Sequence, residues 1–227
     1  MSELAIFPDM ALPGLILLAW LSPAAAADLP GRKVFDAAGC RACHSIGGNG
    51  GNAGPDLTFV GYRQSRDWLD LWLQSPKSWK HDTKMPEMRL QPGDRAAVID
   101  FLVSLKGRDF IVPPWDAPGV APAGRGKLIY DRVGCVACHG PAGAGGQPEN
   151  NYHGYQIPAL KRVADGYTFD ELKKRIRGGR IPEPQDMSQP MPMVSMPAWG
   201  GILKEADIED VAKYLMSLAP PKKADDF

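Results

Sequence analysis

Cys40-Arg41-Ala42-Cys43-His44 and Cys135-Val136-Ala137-Cys138-His139 contain all four cysteines of the 227-residue chain. Two thiols separated by two residues lie within one helical turn, and an imidazole follows directly, so both sulfurs and the ring can meet one flat group. The chemistry that uses all three is covalent haem attachment: each thiol adds to a porphyrin vinyl group and the imidazole reaches the iron. A zinc site wants four protein ligands per metal, and a thioredoxin-like pair wants a flanking βαβ pattern. Neither reading, nor a pair of structural disulfides, explains a histidine after both pairs. The sequence therefore predicts two covalently attached haem c groups, bound through Cys40, Cys43 and His44 and through Cys135, Cys138 and His139.

A six-coordinate electron-transfer iron needs a donor on its far face, and a thioether stabilises the ferrous state. Met85-Pro86 and Met196-Pro197 are the leading candidates, 16 residues before Phe101 and 18 before Tyr214. The following proline keeps each methionine out of a helix, as a segment crossing a haem face requires. Met88 and His81 remain alternatives for the first iron, and Met187, Met191 and Met193 for the second. His153 lies in a polar Asn-Tyr-His-Gly stretch that reads as surface. Pro55 and Pro158 follow the haem histidines, and a proline carbonyl accepting from histidine Nδ1–H would fix tautomer and orientation. A plain turn is the competing reading of both prolines.

The elements that must position these groups recur. A shift of 95 positions superposes Gly31-Arg32-Lys33-Val34-Phe35 on Gly126-Lys127-Leu128-Ile129-Tyr130, and Gly39-Cys40 on Gly134-Cys135, so the chain is an internal duplication. Each half opens with a short amphipathic helix and closes on a longer one. Val98, Phe101, Leu102 and Leu105, and likewise Val211, Tyr214, Leu215 and Leu218, fall at helical core spacing. Gly107 reads as the C′ residue of the first closing helix, and Pro220-Pro221 as the stop of the second. Trp68, Leu69, Trp72 and Leu73 form one apolar face, and Thr168-Phe169-Asp170-Glu171 spells a capping box. No strand pattern of comparable quality is present. The stretches Gly140 to Gln156 and Gly178 to Ser195 read as Gly- and Pro-rich loops.

The apolar run from Met10 to Leu21, followed by Ser22-Pro23-Ala24-Ala25-Ala26-Ala27, has the size and small-residue exit of a signal peptide. Its n-region has no Lys or Arg and carries Glu3 and Asp9, so Met10 is a second possible start. An uncleaved anchor is the alternative, although the run is shorter than a bilayer span and broken by Pro13 and Gly14. The expected organisation is a leader or anchor at 1–27, a first domain at 28–108, a Pro-rich linker at 109–122, a second domain at 123–220 and a tail at 221–227. With 26 basic and 26 acidic side chains, the chain lacks the electrostatic footprint of a nucleic-acid binder. No nucleic acid and no small-molecule substrate are expected as partners.

Together these residues resemble tandem class I cytochrome c domains over nearly all of Leu29 to Leu218. The parts arrive in family order: Gly-x-x-x-aromatic helix, C-x-x-C-H, Gly-Pro-x-Leu, Met-Pro and an aromatic-bearing closing helix. The resemblance implies an all-α fold in which first and last helices cross through Gly31 with Phe101 and Gly126 with Tyr214. It also implies His/Met ligation and electron transfer. The first half is similar to haem domains attached to respiratory oxidases and bc-type complexes. The second departs in lacking Gly before Pro158, and its Cys138-His139-Gly140 start and Arg177-Gly178-Gly179-Arg180 turn look partly like dihaem carriers of the c4 type. The leading expectation is an exported dihaem carrier, periplasmic and either soluble or membrane-associated. It would move single electrons between a quinol-oxidising complex or dehydrogenase and a terminal oxidase or reductase. Two alternatives stand: an enzyme with one open iron, reducing peroxide or oxidising a sulfur or nitrogen compound, and a fixed haem subunit of a larger membrane redox complex.

Overall fold

The computed structural model describes residues 29–148 and 156–219. The leader or anchor at 1–27, His153, Pro220 and the tail at 221–227 lie outside the described residues. The described residues form ten α-helices: α1 (Pro30–Ala37), α2 (Val60–Arg63), α3 (Arg66–Gln74), α4 (Pro76–Trp79), α5 (Pro92–Ser104), α6 (Pro122–Ile129), α7 (Cys135–His139), α8 (Val163–Gly166), α9 (Phe169–Gly178) and α10 (Glu205–Met216). The fold is all-α. Among the described residues the one sheet, unannounced by the sequence, is a short hairpin pairing Ser45 with Gly50 and Ile46 with Asn49. Gly47 and Gly48 make that turn, both at positive φ, 59° and 82°, as a two-residue hairpin loop demands.

The duplication appears as two copies of one helix crossing. Proline opens α1, α5 and α6, where its missing N–H has no helical partner to lose and its φ is already set. At Gly31 a Cβ would stand 1.9 Å from the Ala97 carbonyl oxygen, and at Gly126 it would stand 2.0 Å from that of Asp210. Only glycine lets α1 meet α5, and α6 meet α10, at that distance. Beside each crossing an aromatic pair fills the gap: Phe35 meets Phe101 edge-on at 5.6 Å, and Tyr130 meets Tyr214 at 5.5 Å. The stripes bury as their spacing requires, with Val98, Phe101, Leu102 and Leu105 in the first core and Val211 and Leu215 in the second. Ser65 caps α3 by accepting from Trp68 N, and Thr168 with Glu171 forms the capping box of α9.

Gly107 has a different job from the one its position suggests. Helix α5 ends at Ser104 with Leu105 as its C-cap, so Gly107 lies beyond C′. Its φ is 79°, its N–H donates to Thr58 O at 2.9 Å, and a Cβ there would stand 2.2 Å from the Phe59 ring. The glycine clears space for an aromatic side chain from another loop.

That side chain joins the two halves. Phe59, 6% exposed, belongs to the second core although it precedes α2. Its ring lies 6.1 Å from Phe110, 6.5 Å from Trp115 and 6.4 Å from Trp199. The Pro-rich segment is thus more than a spacer, because it carries Phe110 and the buried Trp115 into that cluster. Arg125 of α6 clamps it: Nε donates to Trp115 O at 3.1 Å, and Nη2 to Asp116 at 2.7 Å and Asp207 at 2.5 Å, while Nη1 reaches Asp210 at 2.5 Å.

Candidate haem sites

In the first half, Gly39 at φ 74° turns the chain into the short helical turn Cys40–Ala42. His44 N donates to Cys40 O at 3.0 Å, so one turn gathers Cys40, Cys43 and His44. The ring Nδ1 donates to Pro55 O at 2.8 Å, which leaves Nε2 as the electron-pair donor. A Cβ at Gly54 would stand 2.5 Å from His44 Cε1, so the residue before Pro55 has no room for a side chain. Burial pushes the His44 pKa below its ordinary value; the Pro55 carbonyl pulls it up, and the charge of Arg63 adds to the lowering. A neutral imidazole, the form that binds metal, is favoured.

Met85 packs on the first core with Cys40, Trp68 and Trp72, and Trp72 Nε1 donates to its sulfur at 2.9 Å. Thr83 Oγ1 accepts from Met85 N at 3.2 Å, pinning the extended segment before Pro86. Met88 is half-buried, and His81 is exposed in a turn. The Trp68 and Trp72 rings stack at 5.1 Å, and Trp68 Nε1 is buried with no hydrogen-bond partner.

In the second half the signature is itself a helix, α7, entered through a wide turn, Tyr130–Gly134, and through Gly134 at φ 93°. His139 Nδ1 donates to Pro158 O at 3.0 Å, and burial again lowers the imidazole pKa. Burial raises the Cys40 thiol and pushes that of Cys135 up to about 12, surroundings that suit an uncharged thioether. Cys135, Cys138, His139, Pro158 and Met196 line one cavity of about 450 Å³. Its apolar walls come from Tyr130, Leu160, Tyr167, Leu172, Ile176, Trp199 and Leu215, among others. Among the described residues its charged walls are Arg63, Arg162, Arg175 and Arg180, with no Asp or Glu.

Met196 is held there by two backbone hydrogen bonds with Arg180, both 2.9 Å. Met187 and Met191 are exposed, at 82% and 54%, and Met193 is half-buried; none of the three lines the cavity.

The residues present fit a haem. An apolar cavity carrying thiols, a tethered imidazole and a thioether suits the macrocycle and its iron, while the arginine-only charge of the walls suits its carboxylates. Sequence reasoning missed Arg63, Phe59 and Trp115, which join the two halves. No periodicity marks them, because each acts on a residue far along the chain.

Two helical units, each gathering paired thiols and a carbonyl-tethered imidazole, the second with a methionine on the same cavity wall, define a c-type electron-transfer protein. The sequence model of the cytochrome c family matches residues 29–106 and again 123–219, so the chain belongs to that family, with one domain in each half. It carries two covalently attached haem c groups. Among curated proteins it is 26% identical over 217 residues to the Cbb3-type cytochrome c oxidase subunit CcoP of Azospirillum sp. strain B510, and 26% identical over 211 residues to that of Azospirillum brasilense. Each match covers 85% of this chain and 62% of the relative. A shorter match, 36% identical over 85 residues, is to cytochrome c oxidase subunit 2 of Alkalihalophilus pseudofirmus and covers 34% of this chain and 25% of that protein. The chain therefore spans under two thirds of the length of each of these relatives.

Proposed function

We propose that the chain is an extracytoplasmic one-electron relay delivering electrons to a terminal respiratory oxidase, with domains at 28–108 and 123–220 joined by the segment 109–122. Bound haem supplies the one-electron iron couple. Cys40 with Cys43, and Cys135 with Cys138, would anchor the two macrocycles, while His44 and Met85, and His139 and Met196, would supply the donors to the irons. Pro55 and Pro158 hold each imidazole in the tautomer that presents Nε2.

The observation that carries this reading is the second cavity, which gathers His139, tethered through Nδ1, with Met196, and whose charged walls are arginines alone. A saturated iron beside such walls suits electron transfer. Among the described residues the walls offer no carboxylate to exchange protons with a substrate. The oxidase direction rests on the names of the relatives, and the extracytoplasmic side on where c-type haem is attached. Electrons would arrive from a quinol-oxidising complex or a dehydrogenase.

Two measurements test the assignment. Met85→Ala and Met196→Ala should each abolish one sulfur-to-iron charge-transfer band and lower one potential, while Met88→Ala and Met193→Ala leave both bands in place. Carbon monoxide should bind the native ferrous protein slowly and incompletely; rapid, full binding at one haem would favour the enzyme with an open iron.

A further inference from the structure

One side chain touches the machinery of both sites. Arg63 ends α2 in the first domain and is 5% exposed. Its Nη2 donates to Asp56 O at 2.8 Å and its Nη1 to Gly134 O at 2.9 Å, while Nε is buried without a partner. Asp56 follows Pro55, the residue that tethers His44, and Gly134 precedes Cys135. The guanidinium also lines the second cavity with Cys135, Cys138 and His139.

The neighbourhood is built around this contact. A Cβ at position 134 would stand 1.8 Å from Arg63 Nη1, so the glycine is what admits the guanidinium. From the second domain Arg132 reaches back to the Asp56 carboxylate at 3.5 Å, and that carboxylate also accepts from Ser45 Oγ at 2.9 Å and Thr58 N at 2.8 Å. A guanidinium buried on two carbonyls is costly scaffolding, since an apolar side chain of the same size would fill the space without the desolvation penalty.

We propose that Arg63 is the positioning residue for electron exchange between the two haem sites. It locks the His44 loop of one domain to the Cys135 turn of the other and completes a short route between them. The route runs from His44 through Pro55, Asp56, Arg63 and Gly134 to Cys135. It crosses three hydrogen bonds and is otherwise covalent. The step is balanced by a single electron: one site loses it as the other gains it, and no proton or bond changes hands. A fixed separation matters because domain interfaces of modest size allow relative motion, and Arg63 adds a polar fastening at the two sites to the apolar one that Phe59 makes.

The inference rests on the proposed roles of His44 and Cys135, so haem number and both sulfur bands are first verified in the wild-type holoprotein. Their absence there would remove those roles. The test proper reduces one site with a short pulse and follows equilibration optically in the full-length holoprotein. Arg63→Lys keeps the charge but cannot span both carbonyls: with both sulfur bands retained, exchange should slow severalfold beyond what the two potentials, titrated in the same variant, account for. Arg63→Met should slow it further and split thermal unfolding into two transitions. If the methionine variant does not fold, the lysine variant decides alone. Wild-type exchange in Arg63→Lys would overturn the proposal.

Discussion

The indole N–H of Trp72 points at the sulfur of Met85, with 2.9 Å between Nε1 and Sδ. Thioether sulfur is a weak acceptor, so the bond chiefly fixes where the sulfur stands and draws density from it. In the proposed role of Met85 as donor to the first iron, a sulfur so depleted would give less density to the ferric state and so raise the potential. Trp72→Phe should therefore lower the potential of the first haem by a modest amount and leave the second unchanged. A redox titration resolving the two couples checks this; an equal shift in both would disconnect Trp72 from Met85.

The glycine crossings set the helix spacing in each domain. Placing a methyl at Gly31, 1.9 Å from Ala97 O and 2.9 Å from Phe101 Cβ, forces α1 away from α5. Gly31→Ala should cost about 1–3 kcal/mol by overpacking, and Gly126→Ala a similar amount in the second domain. Denaturant midpoints measure both. Wild-type stability in either variant would mean that the helices have freedom to part.

Phe59 gives a prediction that crosses the domain boundary. The side chain belongs to the first domain by sequence, yet it is buried among Phe110, Trp115 and Trp199. Phe59→Ala should destabilise the protein by about 3–5 kcal/mol. The loss should register in the second domain, as earlier release of Trp115 and Trp199 fluorescence on unfolding. A loss confined to the first domain would contradict the shared core.

The clamp on the linker is pH-dependent. Hydrogen bonds from Arg125 first, and then from Lys204, hold the Asp116 carboxyl below the usual carboxylate range. A depressed carboxylate stabilises the fold above its unfolded pKa of about 4 and loses that contribution as pH falls through the lower folded value. Asp116→Asn should accordingly lower the Tm at neutral pH, and the gap from wild type should close as the solution becomes more acid than about pH 4. A gap independent of pH would show that ionisation plays no part.

Much of each domain was legible in the sequence because its signals are local. The stripes of α5 and α10, the Thr168–Glu171 box and the two cysteine signatures each show themselves within a few consecutive residues, whatever they pack against. The contacts between domains were not. Arg63 and Gly134 are 71 positions apart, and nothing in the run Val60–Arg63 distinguishes a bridging arginine from a solvated one. Gly107 was read as a helix end because it follows a helix, whereas its φ serves the approach to Phe59. The hairpin at Ser45–Gly50 escaped because two-residue strands have no periodicity to read. At the second site, the spacing to the closing helix favoured Met196 over three other methionines within ten positions, and the pairing with Arg180 sets Met196 on the cavity wall.

The central claim is that each half holds one low-spin haem between a proline-tethered histidine and a methionine. A redox titration of the holoprotein followed by optical and magnetic spectra tests it most directly. Two one-electron couples should appear, each with a low-spin ferric signal and each losing its own sulfur-to-iron band on reduction. A single couple, a high-spin ferric signal, or a low-spin site with no sulfur band would contradict the account.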